Sequence, residues 1–342
     1  MTDEMPSLGE LEARFNTYQW IVIMIDKQTR RGFIFGAGAA CFSAVGCAPQ
    51  AKFDDSKTII MSDTHIAKAK IQTQWGPQPD YQNAVLSSTV DKILAMRPLP
   101  RRVVVLGDVS LWFGYLGDYE VAFPIFERLK AAGIEVHLAP GNHDHRAPMI
   151  SVFPECAERS PVKGRIASVV DLGSCDLFLL DTLIENPEGE GKGNPTNGAL
   201  DEDQGKWIAD AVQKATRPFL VASHHQVGEL RFEDKPLLST LLSSKYYCGY
   251  IHGHEHRWSA SWRHVTKGER TIHRKVCIPS TGWWGDIGFT VMHTKSDSAV
   301  LTNVQSDFYY PTPVKEGESR PALWDCIVKD NNARTCTFSY SS

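Results

Sequence analysis

The stretch TIIMSDTH, residues 58–65, runs from an apolar strand-like segment straight into Asp63 and His65. A short apolar run bounded by polar turn residues reads as a strand buried on both faces. The pattern recurs along the chain. RVVVLGD (102–108) ends at Asp108, IEVHLAPGN (134–142) at Asn142, PFLVASH (218–224) at His224 and YYCGYIHGH (246–254) at His254, with CDLFLLDT (175–182) as a further run. Between these runs lie helical patterns. NAVLSSTVDKILAM (83–96) places Val85, Val90, Ile93 and Leu94 on one helix face. A helical stretch near 118–132 contains Pro124, which must kink it or open its first turn, and a later helix takes Asp201 as its cap. Strand, helix and strand in succession predict βαβ units and an α/β fold whose sheet is covered on both faces.

The polar residues Asp63, His65, Asp108, Asn142, His143, His224, His254 and His256 all follow the C-terminal ends of predicted strands. In open α/β sheets that edge is where ligands bind. One strand ending in Asp means little, since Asp is a common turn residue. Five ending in Asp, Asn or His would cluster polar groups at a cost on the order of several kcal/mol unless something coordinates them. A cation does. YIHGHEH (250–256) adds histidines at alternate positions, so that His252, His254 and His256 would share one side of a strand end.

DTH (63–65), GD (107–108), GNHD (141–144), a histidine after an apolar strand at 224 and GHEH (253–256), in that order, resemble the signature blocks of the calcineurin-like metallophosphoesterases over about residues 57–300. LDEDQGKWI (200–208) is similar to the helix before their fourth block. GNHDHR resembles a form found among cyclic nucleotide and glycerophosphodiester phosphodiesterases, whereas HHQVGEL (224–230) lacks the prolines usual in that branch. The resemblance implies a layered α/β sandwich with a dinuclear metal site at the C-terminal edge of the sheets. It implies that Asp63, His65, Asp108 and His256 hold one divalent metal ion, and Asp108, Asn142, His224 and His254 a second. His225 is the alternative to His224, which matches the family ligand better. Oxygen and nitrogen donors without thiolate suit Mn, Fe or Zn. The implied reaction is hydrolysis of a small-molecule phosphate ester by a hydroxide held between the metals, a phosphodiester being favoured. A phosphomonoesterase or nucleotidase is the alternative, and an inactive scaffold of the same fold the third reading, against which stands the completeness of the ligand set. By the same resemblance His143 is the proton donor to the leaving oxygen, Asp144 orients its ring, and Arg146 pairs with a substrate phosphate or else forms a surface salt bridge. His145, His225 and His252 read as supporting or core histidines. Trp283 and Trp284 of GWWGD (282–286) could stack on a leaving group, with core packing as the other reading.

The 342 residues carry a net charge of −4 without long charge runs, which argues against nucleic acid as the partner. The segment QTRRGFIFGAGAACFSAVGCAPQA (28–51) resembles a twin-arginine export signal, with Arg30 and Arg31 read by the export machinery and Met24 as the expected true start. AVGC (44–47) resembles a lipoprotein box, so a lipid anchor at Cys47 is one of two readings. The expected organisation is an N-terminal extension and signal over 1–51, a catalytic domain over 52–305 and a C-terminal tail over 306–342, in a protein exported to the periplasm or cell envelope. Cys326 and Cys336 are the expected disulfide pair, while Cys248 and Cys277 read as buried small apolar side chains. NPEGEGKGNPTNGA (186–199) reads as one mobile loop.

Overall fold

The computed structural model describes residues 52–68, 79–232, 235–265, 271–282, 285–305 and 335–340. Its elements are, in chain order, β1 (Phe53–Met61), α1 (Pro79–Ala95), β2 (Leu99–Leu106), α2 (Leu116–Ala131), β3 (Glu135–Ala139), α3 (Arg146–Val152), α4 (Glu155–Glu158), β4 (Ser168–Asp171), β5 (Asp176–Leu179) and α5 (Glu202–Lys214). There follow β6 (Phe219–Ser223), β7 (Arg231–Phe232), β8 (Lys235–Pro236), α6 (Leu237–Leu241), β9 (Tyr247–His252), β10 (Ser259–Val265), β11 (Thr271–Cys277), β12 (Gly288–Thr294), β13 (Ser298–Gln305) and β14 (Thr335–Ser339).

Alternate side chains of each apolar strand enter different cores, which is why these strands show no polar face. In β2, Val103 and Val105 face one side, Val104 and Leu106 the other. In β6, Phe219 and Val221 face helices, while Leu220 and Ala222 face the opposite sheet. Two six-stranded sheets result, in the orders β14-β13-β12-β1-β2-β3 and β10-β11-β9-β6-β5-β4. Their centres are parallel, β1 with β2 and β3, and β5 with β6, β9 and β11, whereas β12, β13 and β14 in the first sheet and β4 and β10 in the second add antiparallel. Ile60, Leu106, Leu179, Leu220, Ile251 and Met292 fill the space between the sheets. The outer face of the first sheet is covered by α1, α2 and α3 through Leu86, Val90, Tyr119, Phe126 and Met149. The second is covered by α5 and α6 through Ile208, Val212, Leu237 and Leu241. The expected α/β sandwich is therefore four layers deep, with the parallel strands of both sheets at its centre.

Asp201 does cap α5, its side chain accepting from the Gln204 amide at 2.8 Å. Pro124 lies inside α2 and not in its first turn, and the helix continues past it. The boundary drawn at 305 is corrected. Thr335–Ser339 completes the free edge of β13, and Phe338, fully buried, joins the core between the sheets. Residues 1–51 and Cys326 lie outside the described residues, so the expected Cys326–Cys336 pair does too; among the described residues no disulfide joins Cys156, Cys175, Cys248, Cys277 or Cys336.

Candidate metal centre

The strands β1, β2, β3, β6 and β9 deliver their polar sequels to one rim, where the two sheets meet. The chain turns sharply as it leaves them. Asp63, His65, Asp108, His254 and His256 all adopt left-handed backbone, with φ of 54°, 49°, 50°, 70° and 51°. Such conformations cost roughly 1–3 kcal/mol each in a non-glycine residue and persist where the surroundings enforce them, commonly at functional sites. All five are residues the sequence assigns to metal. The turns also overrule the alternation read in YIHGHEH. His252 is the last residue of β9 and stays buried, its Nδ1 facing the Gly253 carbonyl at 3.0 Å, while His254 and His256 turn toward the rim.

Asp63, His65, Asp108 and His256 form one buried group. Nε2 of His256 lies 3.2 Å from Asp63 Oδ1 and 3.2 Å from His65 Nε2. The second group centres on His224 Nε2, which faces Asp108 Oδ2 at 3.2 Å, Asn142 Oδ1 at 3.1 Å and His254 Nδ1 at 3.1 Å. Asp108 Oδ2 also lies 3.9 Å from His65 Nε2, so one carboxylate oxygen borders both groups. The rings are aimed from behind. His65 Nδ1 faces the Leu111 carbonyl at 3.2 Å and His224 Nδ1 the Leu106 carbonyl at 2.8 Å. A carbonyl only accepts, so each Nδ1 carries the proton and each Nε2 points into the site, as a metal ligand requires.

This donor set fits divalent cations. Asp63 Oδ1 is buried with only imidazole nitrogens such as His256 Nε2 beside it, and nitrogens of neighbouring imidazoles converge at about hydrogen-bond distance. Burial opposes ionisation of Asp63 and Asp108, yet the histidines beside them, His256 and His224 foremost, hold both carboxyls well below their usual range. Burial takes His65 down to about 3 and, with His224, His254 down to about 4, leaving both lone pairs available at neutral pH. Burial also opposes charge on His224, but Asp108 and Asp63 outweigh it and raise that ring to about 9, so an arriving cation displaces a proton there.

The calcineurin-like phosphoesterase family profile matches residues 56–258, more than half of the chain. The chain belongs to that family. Among solved structures it is similar in fold to a dimetal phosphatase from Danio rerio (TM-score 0.58, 15% identity, 83% of this chain and 99% of that one covered). It is also similar to PhoD (TM-score 0.51, 12% identity, 86% and 71% covered). No curated protein matches in sequence. The protein is a metal-dependent phosphoester hydrolase.

Several second-rank assignments change in this phosphoesterase. His143 is half-buried at the rim, its Nδ1 on the Trp112 carbonyl at 3.1 Å and its Nε2 3.9 Å from Asp108 Oδ2. Asp144 does not orient that ring. Its buried carboxylate accepts from the amides of Val109, Ser110 and Gly141 and from the Tyr119 hydroxyl, tying the turn after β3 to the turn after β2. Burial and the nearby Asp108 push Asp144 up to about 6 against the pull of those amides. The two turns touch so closely that a Cβ on Gly141 would stand 2.2 Å from Asp108 Oδ1, which explains the glycine of GNHD.

Arg146 is not the surface ion pair of one reading, and its guanidinium is engaged by carboxylates of the protein itself. Only 7% exposed, it donates Nε and Nη2 to the two oxygens of Asp181 at 2.7 Å each, Nη2 also to the Leu183 carbonyl and Nη1 to Glu185. It lines a separate polar cleft of about 590 Å³ with Arg165, Asp181, Glu185 and Gln204. Removing one partner of a buried pair costs about 3–5 kcal/mol. Arg146→Met should therefore lower urea stability by about that much, while metal content and the turnover of the folded fraction stay within a few-fold of wild type. Unchanged stability with collapsed turnover would return Arg146 to the substrate.

The glycine-rich segment 186–199, read as mobile, is tied to the site. Asn194 Nδ2 donates to the carbonyls of Asn142 and Asp144 at 2.9 and 2.7 Å, and the Lys192 carbonyl faces His145 Nε2 at 2.8 Å. His145 is thereby a supporting residue, its other nitrogen on Glu185. Asp286, the polar end of GWWGD, accepts from the Trp258 amide and donates its own amide to the His256 carbonyl, bracing that turn. Trp283 and Trp284 lie outside the described residues. Asn194 and Tyr119 carry no motif and could not be singled out from sequence, and in GWWGD the tryptophans drew the reading away from Asp286.

Proposed function

We propose that this protein is an exported phosphodiesterase that works with two divalent cations, drawn from Mn, Fe and Zn, on small-molecule phosphodiesters. The observation that carries the two-cation reading is Asp108, whose one carboxylate oxygen borders both ligand groups. When bound, divalent cations neutralise phosphoryl oxygens and lower the pKa of water. The chain supplies the rest. The Trp112 carbonyl keeps the His143 proton on Nδ1, so that a second proton, carried on Nε2, faces the rim and can be delivered to a leaving oxygen. Asp144 and Asn194 hold the turn that bears Asn142 and His143 in place.

The diester preference is supported by what Arg146 does instead of binding phosphate. A monoester dianion carries one more charge than a diester, and Arg146, the guanidinium that the sequence offers it, is committed to Asp181 and Glu185. Metal-loaded enzyme should hydrolyse bis(4-nitrophenyl) phosphate with a higher kcat/KM than 4-nitrophenyl phosphate. The reverse order would make the enzyme a phosphomonoesterase.

Export rests on the sequence of 28–51, where Arg30 and Arg31 precede an apolar segment that ends near Cys47. A ligand set gathered from five strand ends is completed only as the fold closes, so folding before export lets the cell choose the metal. Arg30→Lys with Arg31→Lys keeps the charge but not the guanidinium fork. Cell fractionation should then find metal-loaded, active enzyme held in the cytoplasm, and undiminished export would assign the segment to the general secretory route.

A further inference from the structure

We infer that His225 is a fifth donor to the second cation position, beside Asp108, Asn142, His224 and His254, and that it biases that position toward zinc-like ions. The inference rests on the two-cation reading above. His225 is fully buried, and its Nε2 has no hydrogen-bond partner among the described residues. Leaving such a nitrogen unsatisfied costs about 1–3 kcal/mol, so a buried orphan at a ligand cluster calls for a partner that arrives with the cation.

Geometry places it there. The ring stands perpendicular to that of His224 with centroids 4.8 Å apart, and 5.0 Å from that of His254. One donor atom from each of the three imidazoles lies within 4.8 Å of the others. The ring is also held. Nδ1 meets the Thr182 hydroxyl at 2.8 Å, and the Ser223 hydroxyl donates to the His225 carbonyl at 2.7 Å. From the far side the 186–199 loop closes on it at Gly198, where a Cβ would stand 2.5 Å from Nδ1. A proton on Nδ1, donated to Thr182, leaves the Nε2 lone pair free, the tautomer a ligand needs.

The two positions then differ in chemistry. The first has two carboxylates and two imidazoles, Asp63, Asp108, His65 and His256. The second shares Asp108, adds one amide oxygen and gathers three imidazoles. Imidazole-rich sites suit Zn, Co and Fe, whereas oxygen-rich sites suit Mn.

The test strips the full-length enzyme of metal and titrates Zn²⁺ and Mn²⁺ separately against a chromophoric chelator. Wild type should bind two zinc ions. His225→Ala and His225→Gln should weaken one of them by about 10- to 100-fold or more, the loss seen when even outer-shell partners are removed. Mn²⁺ affinity should change by less than a few-fold, and millimolar imidazole should restore zinc binding to the alanine variant. Zinc-edge X-ray absorption of wild type, which needs no variant, should count five imidazoles over the two ions: His65 and His256, then His224, His225 and His254. Unchanged zinc affinity in both folded variants, or four imidazoles in wild type, would overturn the assignment and leave Nε2 to the substrate. Fewer than two zinc ions on wild type would overturn the two-cation reading itself, and this inference with it.

Discussion

Asp108→Ala should leave a folded protein that holds neither cation tightly and turns over at less than about one-thousandth of the wild-type rate, a larger loss than removal of one transition-state donor usually causes. Asp108 Oδ2 lies 3.2 Å from His224 Nε2 and 3.9 Å from His65 Nε2, so its loss removes an anionic oxygen from both groups at once. Each cation should weaken by more than about 100-fold, since loss of an outer-shell partner alone costs about 10- to 100-fold. The metal-free protein need not suffer in parallel. Asp108 repels Asp63 and Asp144 across the same buried space, and removing it relieves both. The expected signature is a wide gap between wild type and variant in thermal stability with metal present, which narrows or closes in chelator. Asp108→Asn, which keeps the shape and removes the charge, should behave alike. Two ions per chain with normal turnover in either variant would remove Asp108 from the shared position.

Sequence carried the site further than it carried its supports. The gathering of the seven candidate ligands was legible because each follows an apolar strand, and parallel strands in a layered α/β fold bring those ends to one rim. What failed was whatever depended on side-chain direction. The alternation of His252, His254 and His256 presumed extended backbone, but the chain leaves that conformation after His252, and left-handed turns aim the other two. Arg146 stands two residues after Asp144 in a motif that suggests phosphate, yet its partner, Asp181, follows β5 in the other sheet. No local pattern pairs residues 35 apart. Asn194 was hidden for the opposite reason, since glycine-rich composition reports chain freedom and not the two carbonyls that the loop was shaped to reach. The strand Thr335–Ser339 was missed because its only deep anchor is Phe338, one aromatic in a polar context.

His143→Ala should keep both cations and lose about 10²- to 10⁴-fold in rate on diesters with poor leaving groups, the usual contribution of a general acid. The ring stands outside the ligand groups, 3.9 Å from Asp108 Oδ2, and is packed edge-on to His65 and Trp112 with centroids 5.4 and 5.1 Å away. Its backbone amide donates to Asp108 Oδ1 at 2.8 Å, a contact that alanine retains. The metal groups should therefore survive the substitution. Because Trp112 takes the Nδ1 proton, the donor facing the rim is Nε2, and its value depends on how badly the departing oxygen needs a proton. A nitrophenolate needs little help, so nitrophenyl diesters should lose far less than alkyl diesters, and the dependence of rate on leaving-group pKa should steepen. Asp144→Asn is the contrasting variant. Its carboxylate faces the amides of Val109, Ser110 and Gly141, so it should loosen the turn and lower metal affinity on every substrate alike. Equal losses on good and poor leaving groups in His143→Ala would mean that this ring positions the phosphoryl group without donating a proton.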